Sequence, residues 1–220
     1  MVAKNTVLDL AGSLPLGVIL VSGKRRVISL NRRAREITAK ADSLTIRNNE
    51  LSVALNGQTQ KLGRLVAHAI RGETGGPNAM ALVRNDSRWP LWLLVVPVES
   101  RCAAVLVSDP AWKCFPDSRV LANLFGLTPA ECRLAALLMQ GASLLEAGMA
   151  LQITPYTARA QLKVIFEKTG VNRQSQLMYL LLSSPASMSV IGAEPRLPDA
   201  LKSAPALHKN GTKRNKTAIA

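Results

Sequence analysis

The fold is decided by residues 127–171, LTPAECRLAALLMQGASLLEAGMALQITPYTARAQLKVIFEKTGV, which read as a series of short, individually capped helices. In Leu127-Thr-Pro-Ala-Glu131 the parts of a helix start stand in order. Thr128 caps, Pro129 takes the first helical position, where an N–H would have no partner anyway, and Glu131 reaches back to the cap. Leu134, Leu137 and Leu138 line one face until Gly141 ends the helix. Ser143-Leu-Leu-Glu146 repeats the capping spacing and opens a short helix to about Leu151. Gln152-Ile153 breaks the chain before Thr154-Pro155, which caps a third helix running to Lys168, with Gly170 as its stop. Asn172 or Arg173 opens a fourth, whose apolar side is Leu177, Leu180 and Leu181.

A short helix, a tight turn and a longer helix make up the helix-turn-helix unit, whose second helix enters the DNA major groove. At 100° per residue, Leu162, Ile165 and Phe166 fall within about 80° of Ala158 and form a core stripe. Tyr156, Arg159, Ala160, Lys163 and Glu167 occupy the opposite arc. An Arg reads guanine edges bidentately, a Lys contacts bases or phosphates, and an Ala leaves room for close approach. Thr154, Tyr156 and Thr157, at the helix N-terminus, suit phosphate through hydroxyls and free backbone N–H groups. Two basic residues on one helix would by themselves read as a solvated face. It is the ordered set of four capped helices that points to double-stranded DNA.

Residues 127–182 also resemble the C-terminal DNA-binding domain of bacterial LuxR-type (GerE-like) transcriptional regulators. The matching residues are Leu127-Thr-Pro-x-Glu131, Gly141-x-Ser143-x-x-Glu146, Leu151-x-Ile153-Thr154, Thr157-x-Arg159 and Ile165-Phe-Glu-Lys-Thr-Gly-Val171. The resemblance implies a four-helix domain with Pro155–Lys168 as recognition helix and a fourth helix that supports dimerisation. It implies base contacts at Arg159, Ala160 and Lys163, and phosphate contacts around Thr154, Thr157 and Lys168. Departures are Leu145 where the family usually has Lys, Gly148 for Ala, Ala158 for Val and Gln161 for His. They bear on affinity more than on fold, and Gly148 costs its helix about 1 kcal/mol relative to Ala. The promoter-binding region of sigma factors has a similar helix arrangement and is the alternative, but the Lys-Thr-Gly-Val ending fits the LuxR type better.

Upstream, residues 13–109 mix strand and helix signals. Gly17–Ser22 and Arg26–Leu30 read as a hairpin across Gly23-Lys24-Arg25, and Asn31 caps a helix to about Thr38. A second helix is predicted over Thr59–Arg71, with Leu62, Leu65, Val66, Ala69 and Ile70 on one stripe and Gly72 as stop. Met80–Arg84, Leu91–Val98 and Cys102–Ser108 read as strands. This is an α+β domain, and the order of its elements resembles a PAS-type sensor domain. The expected architecture is therefore a PAS-like α+β domain followed by an all-α four-helix helix-turn-helix domain. Residues 1–12 read as an N-terminal extension, 110–126 as a linker or connecting helix, 127–184 as the DNA-binding domain and 185–220 as a basic disordered tail.

Composition narrows the partners. The chain has 220 residues, 28 Lys and Arg against 14 Asp and Glu, and 48% apolar residues, so it is basic yet able to bury cores. The net +14 is uneven, with +8 over residues 1–119, +2 over 120–184 and +4 over 185–220. Specific recognition must then rest on a few placed residues, while the tail is expected to add salt-sensitive attraction to phosphates. Cys102, Cys114 and Cys132 form no Cys-x-x-Cys pair, and His68 and His208 are far apart, so no zinc site or disulfide framework is expected. A structural role fits His68 better than a ligating one. Trp89 and Trp92 suit core or interface packing better than a ligand cage. With no Gly-x-Ser-x-Gly elbow, P-loop or dinucleotide fingerprint, an enzyme is not expected. No cofactor is predicted, although the PAS-like domain could take a small molecule. No signal peptide or membrane span is read, and the expectation is a cytoplasmic, dimeric regulator with RNA polymerase as a second candidate partner. A PAS-like interaction scaffold without a ligand is the remaining alternative.

Overall fold

The run Gly17-Val-Ile-Leu-Val-Ser22 alternates inward and outward residues along strand β1 (Leu16–Ser22), with Ile19 and Val21 fully buried. A Cβ at Gly17 would lie 3.2–3.3 Å from Ile37, Ala34 and Val107. A side chain there would push the helix or its neighbours back by a few tenths of an ångström, so glycine favours this close approach. The computed structural model describes residues 15–188 apart from 55, 74–77, 85–86, 88, 99–100 and 112–115. The expected extension over 1–12, Cys114, His208 and most of the expected tail lie outside those residues.

The described chain is mixed α/β, with seven strands in one antiparallel sheet and seven α-helices. A 3-10 turn, Gly23–Arg25, joins β1 to β2 (Arg26–Leu30). Helix α1 (Arg32–Ala39) begins at Asn31, whose Oδ1 accepts from Ala34 N at 2.9 Å and from Val18 N at 3.0 Å. Its amide nitrogen donates to the Leu16 carbonyl at 2.9 Å. One buried side chain thus caps a helix and completes the ladder of β1. The hairpin β3 (Leu44–Arg47) and β4 (Glu50–Val53) precedes α2 (Asn56–Ile70). Strands β5 (Ala79–Leu82), β6 (Leu91–Val98) and β7 (Cys102–Ser108) complete the order β3-β4-β2-β1-β7-β6-β5.

Sequence reading finds five of these strands and misses β3 and β4. Helix α2 also starts three residues before the predicted Thr59, whose hydroxyl instead bonds the Val53 N–H and carbonyl at 3.1 and 3.0 Å. Leu62, Leu65, Val66 and Ala69 of α2 and Ala34 and Ile37 of α1 pack on one face of the sheet against residues such as Ile19, Leu93 and Val105. The other face turns Trp92 and Leu94 outward, and Trp92 is 50% exposed, so Trp92 is not a core residue.

A second apolar core forms in the C-terminal part. It comprises α3 (Ser118–Phe125), α4 (Pro129–Met139), α5 (Leu144–Ala150), α6 (Pro155–Thr169), α7 (Gln174–Ser183) and a 3-10 turn at Pro185–Ser187. Both predicted capping boxes form, Thr128 with Glu131 and Ser143 with Glu146. This core is wider than residues 127–184. Leu121, in the segment read as a linker, and Ala186, in the segment read as tail, are both fully buried in it. The Cys132 thiol points at the carbonyls of Ser118 and Leu127, at 3.5 and 3.7 Å, and burial pushes its pKa up, so it is a packing group rather than a reactive one.

Candidate nucleic-acid interface

Helix α5 ends at Ala150, and Gln152 takes the left-handed conformation (φ 55°) that turns the chain into α6. At the start of α6, Thr154 Oγ1 accepts from Thr157 N at 3.1 Å, and the two hydroxyls lie 2.9 Å apart. Pro155 has no N–H and the Thr157 N–H is taken by the cap, so the Thr154 and Tyr156 amides are the donors left at this terminus among the described residues. Tyr156 itself is 82% exposed.

Along α6, Ala158, Leu162 and Ile165 are buried and Phe166 is half-buried. Arg159, Ala160, Lys163 and Glu167 are exposed, as the helical arithmetic predicts. Lys163 lies 3.9 Å from Glu167, an intrahelical pair between exposed side chains that water screens strongly. Arg159 makes no ion pair with any described residue. The two cations one turn apart, with alanine beside them, leave a low, positively charged surface on α6.

Lys168 is placed differently from Arg159 and Lys163. Its ammonium bonds Glu131 Oε2 at 2.8 Å, and that same oxygen accepts from the Thr128 N–H at 2.8 Å. Burial alone would raise the Glu131 carboxyl, but the Lys168 ammonium and the Thr128 amide outweigh it and hold it below the ordinary carboxylate range. Lys168 thus ties the C-terminal end of α6 to the start of α4. Sequence reading named both residues without joining them, since nothing in their spacing of 37 positions reports a contact.

Two of the departures from the LuxR pattern meet in space. A Cβ on Gly148 would lie 3.5 Å from Ala158 Cβ and 3.6 Å from the Ile153 carbonyl, ordinary contact distances. The α5–α6 contact is built from two small residues, with room for one methyl. Gly148→Ala is therefore expected to stabilise the protein by about 1 kcal/mol, read as an upward shift of the thermal or urea midpoint. A downward shift would show that the α5–α6 contact cannot take the methyl. Gln161, half-buried on α6, has its Oε1 buried without a hydrogen-bond partner among the described residues.

Beyond α6, Gly170, Val171, Ser175, Gln176, Tyr179 and Leu180 line a shallow groove of about 400 Å³. Among the described residues no group of three or more His, Cys, Asp or Glu is placed to hold a metal ion. No described helix is long and apolar enough to cross a membrane.

No protein-family model and no curated protein matches this chain. Solved structures similar to it include a phage VqmA in complex with DPO, at 15% identity and a TM-score of 0.35, covering 92% of this chain and 95% of that one. A Vibrio cholerae VqmA dimer determined without its target DNA, described among LuxR-type receptors, matches at 14% identity and a TM-score of 0.33, covering 80% and 86%. A Vibrio cholerae VqmA–ligand–DNA complex matches at 16% identity and a TM-score of 0.33, covering 87% and 90%.

Proposed function

We propose that the chain is a sequence-specific DNA-binding transcriptional regulator in which α5, the turn at Gln152 and α6 form a helix-turn-helix. The observation that carries the reading is the solvent face of α6, where Arg159, Ala160 and Lys163 project together from a helix whose opposite side is locked into a core. Arg159 and Lys163 contact base edges in the major groove. Thr154, Thr157 and the Tyr156 amide meet the backbone phosphate. Lys168, held by Glu131, acts chiefly by setting the angle of α6. The protein works as a homodimer on a two-fold site, and the exposed Tyr179 and Leu182 of α7 support a partner helix there. The α+β part, PAS-like in element order, modulates this binding as a sensor or dimerisation domain.

Selection of bound duplexes from a random pool with the full chain tests the reading. It should enrich one site, two-fold in sequence. Arg159→Ala should bind that site roughly 5- to 150-fold more weakly, the worth of one bidentate base contact, with circular dichroism unchanged. Enrichment of nothing, or of the same site equally by Arg159→Ala, would falsify the assignment.

A further inference from the structure

From the structure we infer a second, sequence-independent contact for duplex DNA on the α+β part: a cationic surface built by the 3-10 turn, the β3–β4 hairpin and the solvent face of α2. It rests on the DNA-binding reading above and extends it to a part of the chain that the reading gives no DNA contact.

Residues 16–31 and 43–70 carry six cations, Lys24, Arg25, Arg26, Arg47, Lys61 and Arg64, and one carboxylate, Glu50. The fold gathers them. Pairing places Arg26 opposite Glu50 and Glu50 opposite Arg47, so both arginines flank a single carboxylate across three strands. Arg25 reaches the same group at 3.5 Å and donates from Nε to the Leu51 carbonyl at 2.9 Å. Its guanidinium lies against α2, where a Cβ on Gly63 would come within 2.8 Å of it. Arg25 is thus the structural member, pinning the turn to the helix, and the other five cations are exposed. On α2, Lys61 and Arg64 stand one turn apart beside that junction, and neither they, Lys24, Arg26 nor Arg47 makes an ion pair among the described residues. Elsewhere on the same part, Arg32, Arg33, Arg71 and Arg84 are each matched to a carboxylate, whereas the exposed Arg35, Lys40 and Arg101 make no ion pair among the described residues but lie outside this cluster of turn, hairpin and helix.

The turn itself argues against a merely solvated face. Lys24 and Arg25 both adopt left-handed backbone, φ 55° and 65°, where hairpins ordinarily use Asn or Gly. Two consecutive basic side chains thus stand at positions of positive φ, which favour Asn or Gly. Five exposed cations without partners form a field suited to the closely spaced charges of a phosphate backbone, about one per 3.4 Å along each strand.

The test compares the full chain with its Lys24→Gln/Arg26→Gln/Lys61→Gln/Arg64→Gln variant. Binding to the selected site and to an unrelated duplex is measured from 50 to 200 mM salt. Each lost phosphate contact lowers the slope of log affinity against log salt by about 0.9. The variant's slope should fall by roughly 2 to 3.6, so that its loss of affinity across this range is roughly 15- to 150-fold smaller, with the preference for the selected site retained. An unchanged slope, with wild-type site preference intact, overturns this inference alone. Absence of any duplex binding by the wild-type chain overturns the DNA-binding reading and this inference together. A variant that loses binding to phosphatidylserine vesicles while keeping its DNA slope would assign the surface to membranes and overturn it as well.

Discussion

Replacing Asp109 with alanine is expected to cost about 3–5 kcal/mol of folding stability, the range for removing one partner from a buried ion pair. Asp109 follows the last strand and is 7% exposed, and the guanidiniums of Arg84 and Arg33 close on it at 3.0 and 3.4 Å. Arg84 binds it with both terminal nitrogens, the second at 3.3 Å, and the Ala111 N–H adds a bond at 3.0 Å. Without the carboxylate, Arg84 keeps only Asp42 at 3.8 Å and Arg33 keeps Glu36 at 3.2 Å. Two buried cations then face each other across a vacant position, and their desolvation is offset only in part by the pairs that remain. Asp109→Asn preserves shape and an acceptor oxygen, and should lose less. Urea unfolding followed by tryptophan fluorescence, with Trp89, Trp92 and Trp112 all preceding the C-terminal helices, reads the effect. A loss under about 1 kcal/mol for Asp109→Ala would mean that water reaches the arginines and the pair contributes little. The double change Arg84→Met/Asp109→Leu should recover only part of the loss, because it removes Arg84 together with its partner but still takes Asp109 from the buried Arg33. The ion pairs place the network where α1, the end of β5 and the end of β7 converge.

The parts of the fold legible in the sequence were those fixed by local chemistry. The Thr128 and Ser143 caps, the stops at Gly141 and Gly170 and the buried stripe of α6 each follow from neighbours within four residues. The missed hairpin left a weaker local signal, because Asn48 and Asn49, both with positive φ in the two-residue turn between β3 and β4, are of a type that tolerates that backbone without being the favoured Asn-Gly pair. Its strands are only four residues long, too short for alternation to stand out. The Glu131–Lys168 and Asp109–Arg84 pairs were not legible, since each joins residues 25 or more positions apart and depends on how elements meet. The charge arithmetic pointed to DNA through its total. The structure sharpens this, since the turn, hairpin and helix that meet at Arg25 hold six of the basic residues beside one carboxylate.

The second large effect concerns where the C-terminal unit begins and ends. From sequence, residues 110–126 read as a linker or connecting helix, and nothing local says that the helix over 118–125 belongs to a core. Leu121 settles this by lying fully buried beside Leu127, Cys132, Leu181 and Ala186 in the core of α4–α7. Asp117 caps the helix, accepting from Arg119 N at 2.8 Å, and Gly126, at φ 65°, ends it. Leu121→Ala is expected to cost about 2–5 kcal/mol through lost burial and the cavity left behind. A unit of this size has total stability of the same order. A fragment of residues 127–184, which omits both α3 and the turn bearing Ala186, should therefore lack a cooperative thermal transition. A fragment of residues 117–188 should show one, and should retain the sequence preference of the full chain if α6 alone carries recognition. Equal cooperativity in the two fragments would mean that α4–α7 form a sufficient core, and that α3 packs against it without being required.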